Sequence, residues 1–130
     1  MAQLKHIAIR THDVEKTAAF YRDAFELTQV GAGQSGVYLT DGYLNIAVLK
    51  LRPGGDGETL KIGLDHLGFQ VDDMDATLAR IQHLGGRPLP NRPEISAINP
   101  AAGESYYEIK CLGPDQQVID ISSGGWVGGR

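Results

Sequence analysis

HIAIRTHDVEKTAAF, residues 6–20, and HLGFQVDDMDATLAR, residues 66–80, lie on one another without a gap at an offset of sixty. His6 meets His66, Asp13 meets Asp73, Thr17 meets Thr77 and Ala19 meets Ala79. Ile7/Leu67, Ile9/Phe69, Val14/Met74 and Glu15/Asp75 are similar pairs. Average residue usage gives roughly one identity in fifteen pairs, so four mark a duplicated unit. A histidine repeated in a duplicated unit points to a site at the pseudo-twofold between the halves, where a metal ion is readily held.

The pattern extends outward from these two stretches. Leu4–Arg10 alternates as a strand, with Ile7 and Ile9 on one face and His6, Ala8 and Arg10 on the other. Thr11–Asp13 supplies N-cap oxygens, and Val14, Ala18, Tyr21 and Phe25 recur near helical spacing on a helix ending near Glu26. Val37–Thr40 and Tyr43–Leu49 flank Asp41-Gly42, a hairpin turn. Asp65–Val71 repeats the first strand, with His66, Gly68 and Gln70 on one face. Asp73 opens a second helix that carries Met74, Leu78 and Ile81 on one stripe and closes at Gly85-Gly86. Arg87–Ser105 is proline-rich and holds at most one short strand. Tyr106–Leu112, a turn at Pro114-Asp115, and Gln117–Ile121 form a closing hairpin. Here the repeat returns at an offset of 73, which sets Ala47 against Asp120.

Each half is therefore β-α-β-β-β. The expected fold is α+β: two modules with pseudo-twofold symmetry, their curled mixed sheets forming a cup and their helices outside. The modules fall at residues 1–51 and 64–123, joined by a linker at 52–63 and followed by a Gly/Trp tail at 124–130. Whether the modules pair within one chain or across two is left open.

Hydrophobic content of 42% with 22% charged residues suits a globular domain. No apolar run approaches the ~20 residues of a membrane span, and MAQLKHIAIR lacks a signal-peptide core. The lone Cys111 makes no internal disulfide, so a cytoplasmic location is expected. A net charge of −4 argues against nucleic acid as a partner.

The alternation places polar side chains in the cup. Ile7 and Ile9 need helical cover, so His6 and Arg10 face inward, as do His66 and Gln70. Ile119 and Ile121 take the helix side and leave Asp120 for the cup. Ile109 and Cys111 likewise leave Glu108 and Lys110. His6, His66 and Asp120 form a set of two imidazoles and one carboxylate, suited to one Fe(II), Mn(II), Ni(II), Co(II) or Zn(II) per site. Glu108 is the candidate catalytic carboxylate; its rival roles are ion pairing with Lys110 or Arg10, or ligation in place of Asp120. Tyr107, beside Tyr106, is a candidate acid. Arg10, Lys110 and Arg92 are candidate counter-charges for an anionic substrate, and Gln70 a further inward polar contact. His12 and His83 fall outside the cup.

His6 on the first strand, FYRDAFEL at 20–27, DHLGFQVDD at 65–73 and GPDQQVIDIS at 113–122 resemble the vicinal oxygen chelate superfamily over about residues 4–122. That superfamily includes glyoxalase I, methylmalonyl-CoA epimerase, extradiol dioxygenases, and bleomycin- and fosfomycin-resistance proteins. The closing signature resembles D-P-D-G-x-x-I-E-L, whose glutamate is a metal ligand. Here Gly113 replaces the first aspartate, Gln116 the glycine and Asp120 the glutamate. The resemblance implies a fourth ligand at the position of Ala47, which has no donor. Asn45, on the same face, is the nearest oxygen and a candidate substrate contact.

Two functions follow. One is a metal-dependent enzyme, dioxygenase-like or lyase-like, that chelates adjacent oxygens of a small anionic molecule. The other is a metal-free sequestering protein of the bleomycin-resistance type. A homodimer is expected, with Trp126, the only tryptophan, packed over the cup or on a partner subunit.

Overall fold

The structure is a computed structural model describing residues 1–51, 62–89, 94–99 and 104–130, with backbone alone over 94–99 and 104–107. Its elements run β1 (Gln3–Thr11), α1 (Val14–Phe25), β2 (Thr28–Ala32), β3 (Gly36–Thr40), β4 (Asn45–Lys50), β5 (Gly63–Gln70), α2 (Met74–His83), β6 (Arg87–Pro88), β7 (Glu94–Asn99), β8 (Glu104–Leu112) and β9 (Val118–Ser122). Most of the 52–63 linker, and Arg92, lie outside the described residues.

Local chemistry sets the element ends. The Asp13 carboxylate accepts from Lys16 N at the start of α1, and Asp73 accepts from Ala76 N at the start of α2, so both caps repeat at the offset of sixty. Gly85, at φ 97, ends the turn after α2. Asp41 Oδ1 accepts from Tyr43 N and Leu44 N and closes the β3–β4 turn. Gln116 stands at φ 67, a left-handed conformation that accounts for glycine at this point of the family signature.

The strand order is β2-β3-β4-β1-β5-β9-β8-β6, with β7 also paired to β8. It reads as a palindrome. β4 is parallel to β1 and β9 is parallel to β5, while β1 and β5 meet antiparallel at the centre. The two modules therefore join within one chain. β6 and β7 follow one another along β8 and together fill the place that β2 takes beside β3. The Arg87–Ser105 stretch thus holds two strands rather than one.

Each helix covers its own half-core. Ala18, Val37, Leu39 and Val48 are buried under α1, with Ile9, Val14 and Tyr21 beside them. Val71, Cys111 and Ile121 are buried under α2, with Phe69, Met74, Leu78 and Ile81. Phe25, expected on the buried stripe of α1, is 61% exposed and rests against the rings of Phe20 and Tyr21. Among the described residues no helix is long and apolar enough to cross a membrane.

Candidate metal centre

The centre lies on the opposite sheet face, at the β1–β5 seam. His6 pairs across the seam with Gly68, and His66 pairs with Ala8, so the histidines are diagonal neighbours, each facing a small residue. A Cβ on Gly68 would lie 2.8 Å from His6 Cβ, so glycine makes room for the ring. β9 brings Asp120 opposite Gly68. In the first module the equivalent pairing sets Ala47 opposite Ala8. This register repeats the offset of 73 and puts an alanine where the second module has its carboxylate.

Three donor atoms converge. His6 Nε2 is 3.1 Å from His66 Nε2, His66 Nε2 is 3.0 Å from Asp120 Oδ2, and His6 Nε2 is 3.9 Å from Asp120 Oδ2. A point about 2.0 Å from all three exists at the centre of this triangle, within the usual span of metal–nitrogen and metal–oxygen bonds. All three residues are buried.

The far ring nitrogens fix the tautomers. His6 Nδ1 lies 2.6 Å from Asn45 Oδ1, and Asn45 Nδ2 donates to Val127 O, so the amide oxygen faces the ring. Nδ1 therefore donates, and Nε2 presents a lone pair to the centre. His66 Nδ1 lies 2.6 Å from Asp65 Oδ2 and donates to it in the same way. Asp120 Oδ1 accepts from Lys110 Nζ at 2.5 Å, whereas Oδ2 is buried without a hydrogen bond of acceptable angle. His6 Nε2, His66 Nε2 and one buried carboxylate oxygen thus aim at one point. A cation relieves that convergence, and the oriented imidazoles match the way metal-bound histidines are held. The residues present fit a divalent ion.

Protonation follows the same geometry. Burial first, then the adjacent His66, holds the His6 imidazole down to about 4, so it is neutral at physiological pH. Burial works against protonation of His66 too, but the Asp120 and Asp65 carboxylates outweigh it and raise that imidazole above its ordinary value. Burial opposes ionisation of Asp120, yet His66 and Lys110 hold it well below the usual carboxylate range. Burial, reinforced by the charge on Asp120, pushes Glu108 up to about 7.

The other predicted residues fall at varied distances from the centre. Arg10 donates to Lys50 O, and its Nε lies 3.7 Å from Oδ2 of Asp65, the partner of His66. Asn45 orients His6. Lys110 pairs with Asp120, and Glu108 accepts from Trp126 Nε1 at 3.1 Å; the expected Glu108–Lys110 and Glu108–Arg10 ion pairs are not among the described contacts. Gln70 donates to Ser123 O at the edge of the tail. The Tyr107 side chain and Arg92 lie outside the description. His12 and His83 are exposed, away from the cup.

Asp65 is the residue that strand periodicity hides. Strict alternation points it away from His66. The β1–β5 ladder instead jumps from Ala8↔His66 to Ile9↔Leu64 and leaves Asp65 as the extra residue of a bulge. The ladder slips again from Leu4↔Phe69 to His6↔Gly68 and bulges Lys5. Both bulges immediately precede a histidine, sixty residues apart. The repeat itself was the available signal.

Comparison with known proteins agrees with this architecture. Metallothiol transferase FosB of Shouchella clausii (strain KSM-K16) is 24% identical over 123 residues, covering 93% of this chain and 80% of that protein. Methylmalonyl-CoA epimerase from Mycobacterium tuberculosis superposes with a TM-score of 0.63 at 19% identity, over 92% of this chain and 85% of that one. The 2,3-dioxygenase LapB from Pseudomonas sp. KL28 gives a TM-score of 0.64 at 20% identity, with 98% of this chain lying on 42% of that longer one. A family model matches residues 3–94, through both histidine strands and both helices. The chain belongs to the Glyoxalase/Bleomycin resistance protein/Dioxygenase superfamily, the vicinal oxygen chelate proteins.

Proposed function

We propose that the chain is a divalent-metal-dependent enzyme that takes a small anionic molecule by two adjacent oxygens. The convergence of His6 Nε2, His66 Nε2 and the buried Asp120 Oδ2 is the observation that carries this reading. His6, His66 and Asp120 would hold one Fe, Mn, Ni, Co or Zn ion. When bound, the ion acts as a Lewis acid on negative charge developing at the substrate oxygens. Asn45 and Asp65 accept from the two Nδ1 atoms and so aim both Nε2 atoms at the centre. Lys110 neutralises Asp120, so the loaded centre keeps a positive charge that favours an anion. Glu108, pushed up to about 7, is the one cup carboxylate able to take or return a proton at Oε1 or Oε2 near neutral pH. Dioxygenase-like and lyase-like reactions both use such a centre.

Loading the protein with Co(II) and adding oxalate tests the substrate class. Oxalate is expected to shift the visible absorption of the bound ion; a protein that stays metal-free, or a spectrum that ignores oxalate, overturns the reading.

The second reading is a sequestering protein that uses the cup without metal. Ala47 favours it, because the fourth ligand position carries a methyl group packed against Ala8 and Leu49. The paired, pre-oriented imidazoles weigh more, since sequestration needs neither. We place the protein in the cytoplasm as a homodimer. Phe20 and Phe25, whose rings meet while each is 61% exposed, support the dimer, and a monomeric mass in solution would contradict it.

A further inference from the structure

Trp126 lies in the cup at 1% exposure. Its ring stacks on His6, with 4.8 Å between centroids and 11° between planes. Its Nε1–H donates to Glu108 Oε2 at 3.1 Å. The next residues are tied down as well. Val127 O accepts from Asn45 Nδ2 and Gly128 O accepts from Thr40 Oγ1, both at 2.8 Å. Gly68 is needed here a second time, because a Cβ would stand 2.9 Å from the indole.

His6 is thereby held on two sides. Asn45 fixes its edge at Nδ1, and the indole fixes its face. One hydrogen bond leaves an imidazole free to swing about the bonded nitrogen, which carries Nε2 off the point it shares with His66 and Asp120. A flat ring against the face removes that swing. Asn45 itself is tied to the tail through Val127, so both restraints on His6 come from one segment. His66 differs: Asp65, on its own strand, orients it.

We propose that Trp126 is a positioning residue of the metal centre, clamping the His6 imidazole in its ligating orientation and so setting the affinity for the divalent ion. The inference rests on the metal reading above. It makes the C-terminal tail part of the centre, although no tail side chain is a ligand.

The test uses the single tryptophan as its own reporter. All indole emission comes from the ring stacked on His6. An open-shell ion bound beyond that imidazole quenches it, so Co(II) should remove most of the emission and saturate at one ion per chain. Closed-shell Zn(II) should compete the quenching away. Co(II) affinity and the position of its visible band are then read in Trp126→Ala, Trp126→Leu and Trp126→Phe. Losing the aromatic face should weaken binding about tenfold in the first two and move the band, as loss of a ligand's support does. Phenylalanine restores a ring without the donor to Glu108, and should return affinity to within about threefold of wild type. Wild-type affinity and an unmoved band in the alanine and leucine variants overturn the proposal. So does saturating Co(II) binding that leaves wild-type emission unchanged, a measurement that needs no variant to fold. A wild-type protein that binds no Co(II) overturns the metal reading together with this one, which tells the two failures apart.

Discussion

Asp65 Oδ2 lies 2.6 Å from Nδ1 of His66, its immediate neighbour in the chain, because a β-bulge turns two consecutive side chains to the same side. The carboxylate holds the ring tautomer that points a lone pair at the centre. Asp65→Ala is therefore expected to weaken divalent-metal binding about 10–100-fold while leaving the circular dichroism of the fold unchanged. Competition against a chromophoric chelator reads the affinity. Unaltered affinity would mean that His66 needs no orienting partner.

Gly68 sits where the His6 side chain and the Trp126 ring come together. A methyl group there would stand 2.8 Å from His6 Cβ and 2.9 Å from the Trp126 ring, and neither is the free end of a flexible chain. Gly68→Ala is expected to cost about 1–3 kcal/mol of stability, as overpacking does in a closed interior, and to weaken metal binding as well. Urea denaturation gives the first quantity. A variant as stable as wild type would contradict the packing described for the seam.

Metal affinity should depend on pH in a stated direction. Binding needs both imidazoles neutral. His6, held down to about 4, is neutral already. Asp120 and Asp65 raise His66 above its ordinary 6.5, so at that pH and below it carries a proton that the ion must displace. Apparent affinity should thus fall as pH drops toward 6.5 and below, with release of up to one proton per ion bound. Titration in weakly buffered solution measures that release, and the absence of any uptake or release at pH 6 would contradict it.

Lys110 and Asp120 form a buried pair with 2.5 Å between Nζ and Oδ1. Removing the cation leaves a buried carboxylate uncompensated, a loss of about 3–5 kcal/mol in comparable pairs. Lys110→Met should unfold at a much lower temperature than wild type without metal, and a divalent ion should restore much of the difference by supplying the missing charge. A metal-induced rise in Tm no larger than that of wild type would show that the ion does not reach Asp120.

Much of this was legible in the sequence because a duplicated unit reports the same geometry twice. The repeat at His6 and His66, the paired Asp caps and the alternation in β5 and β9 led to two half-cores with polar residues between them. The offset of 73 that matched Ala47 to Asp120 reappears in the register of β4 and β9. What stayed hidden is what alternation cannot express. A bulge breaks the period of two, so alternation reveals neither that Asp65 turns to His66 nor that Arg10 lies beside it. Alternation puts Lys110 and Asn45 in the cup, but their bonds to Asp120 and His6 lie beyond what a period of two expresses. A two-residue strand such as β6 is too short to carry a pattern. Trp126 lacks a periodic neighbourhood, and only its size and apolarity said that it must be covered.

The most direct test of the metal centre is the metal content of the purified protein after anaerobic reconstitution, compared with His6→Ala, His66→Ala and Asp120→Ala. Each substitution removes one of three donors that share a single point. The expected result is one divalent ion per chain in the wild type and none retained in any of the three variants, with all four proteins folded. A wild type that stays empty, or three variants that retain the ion, would contradict the account.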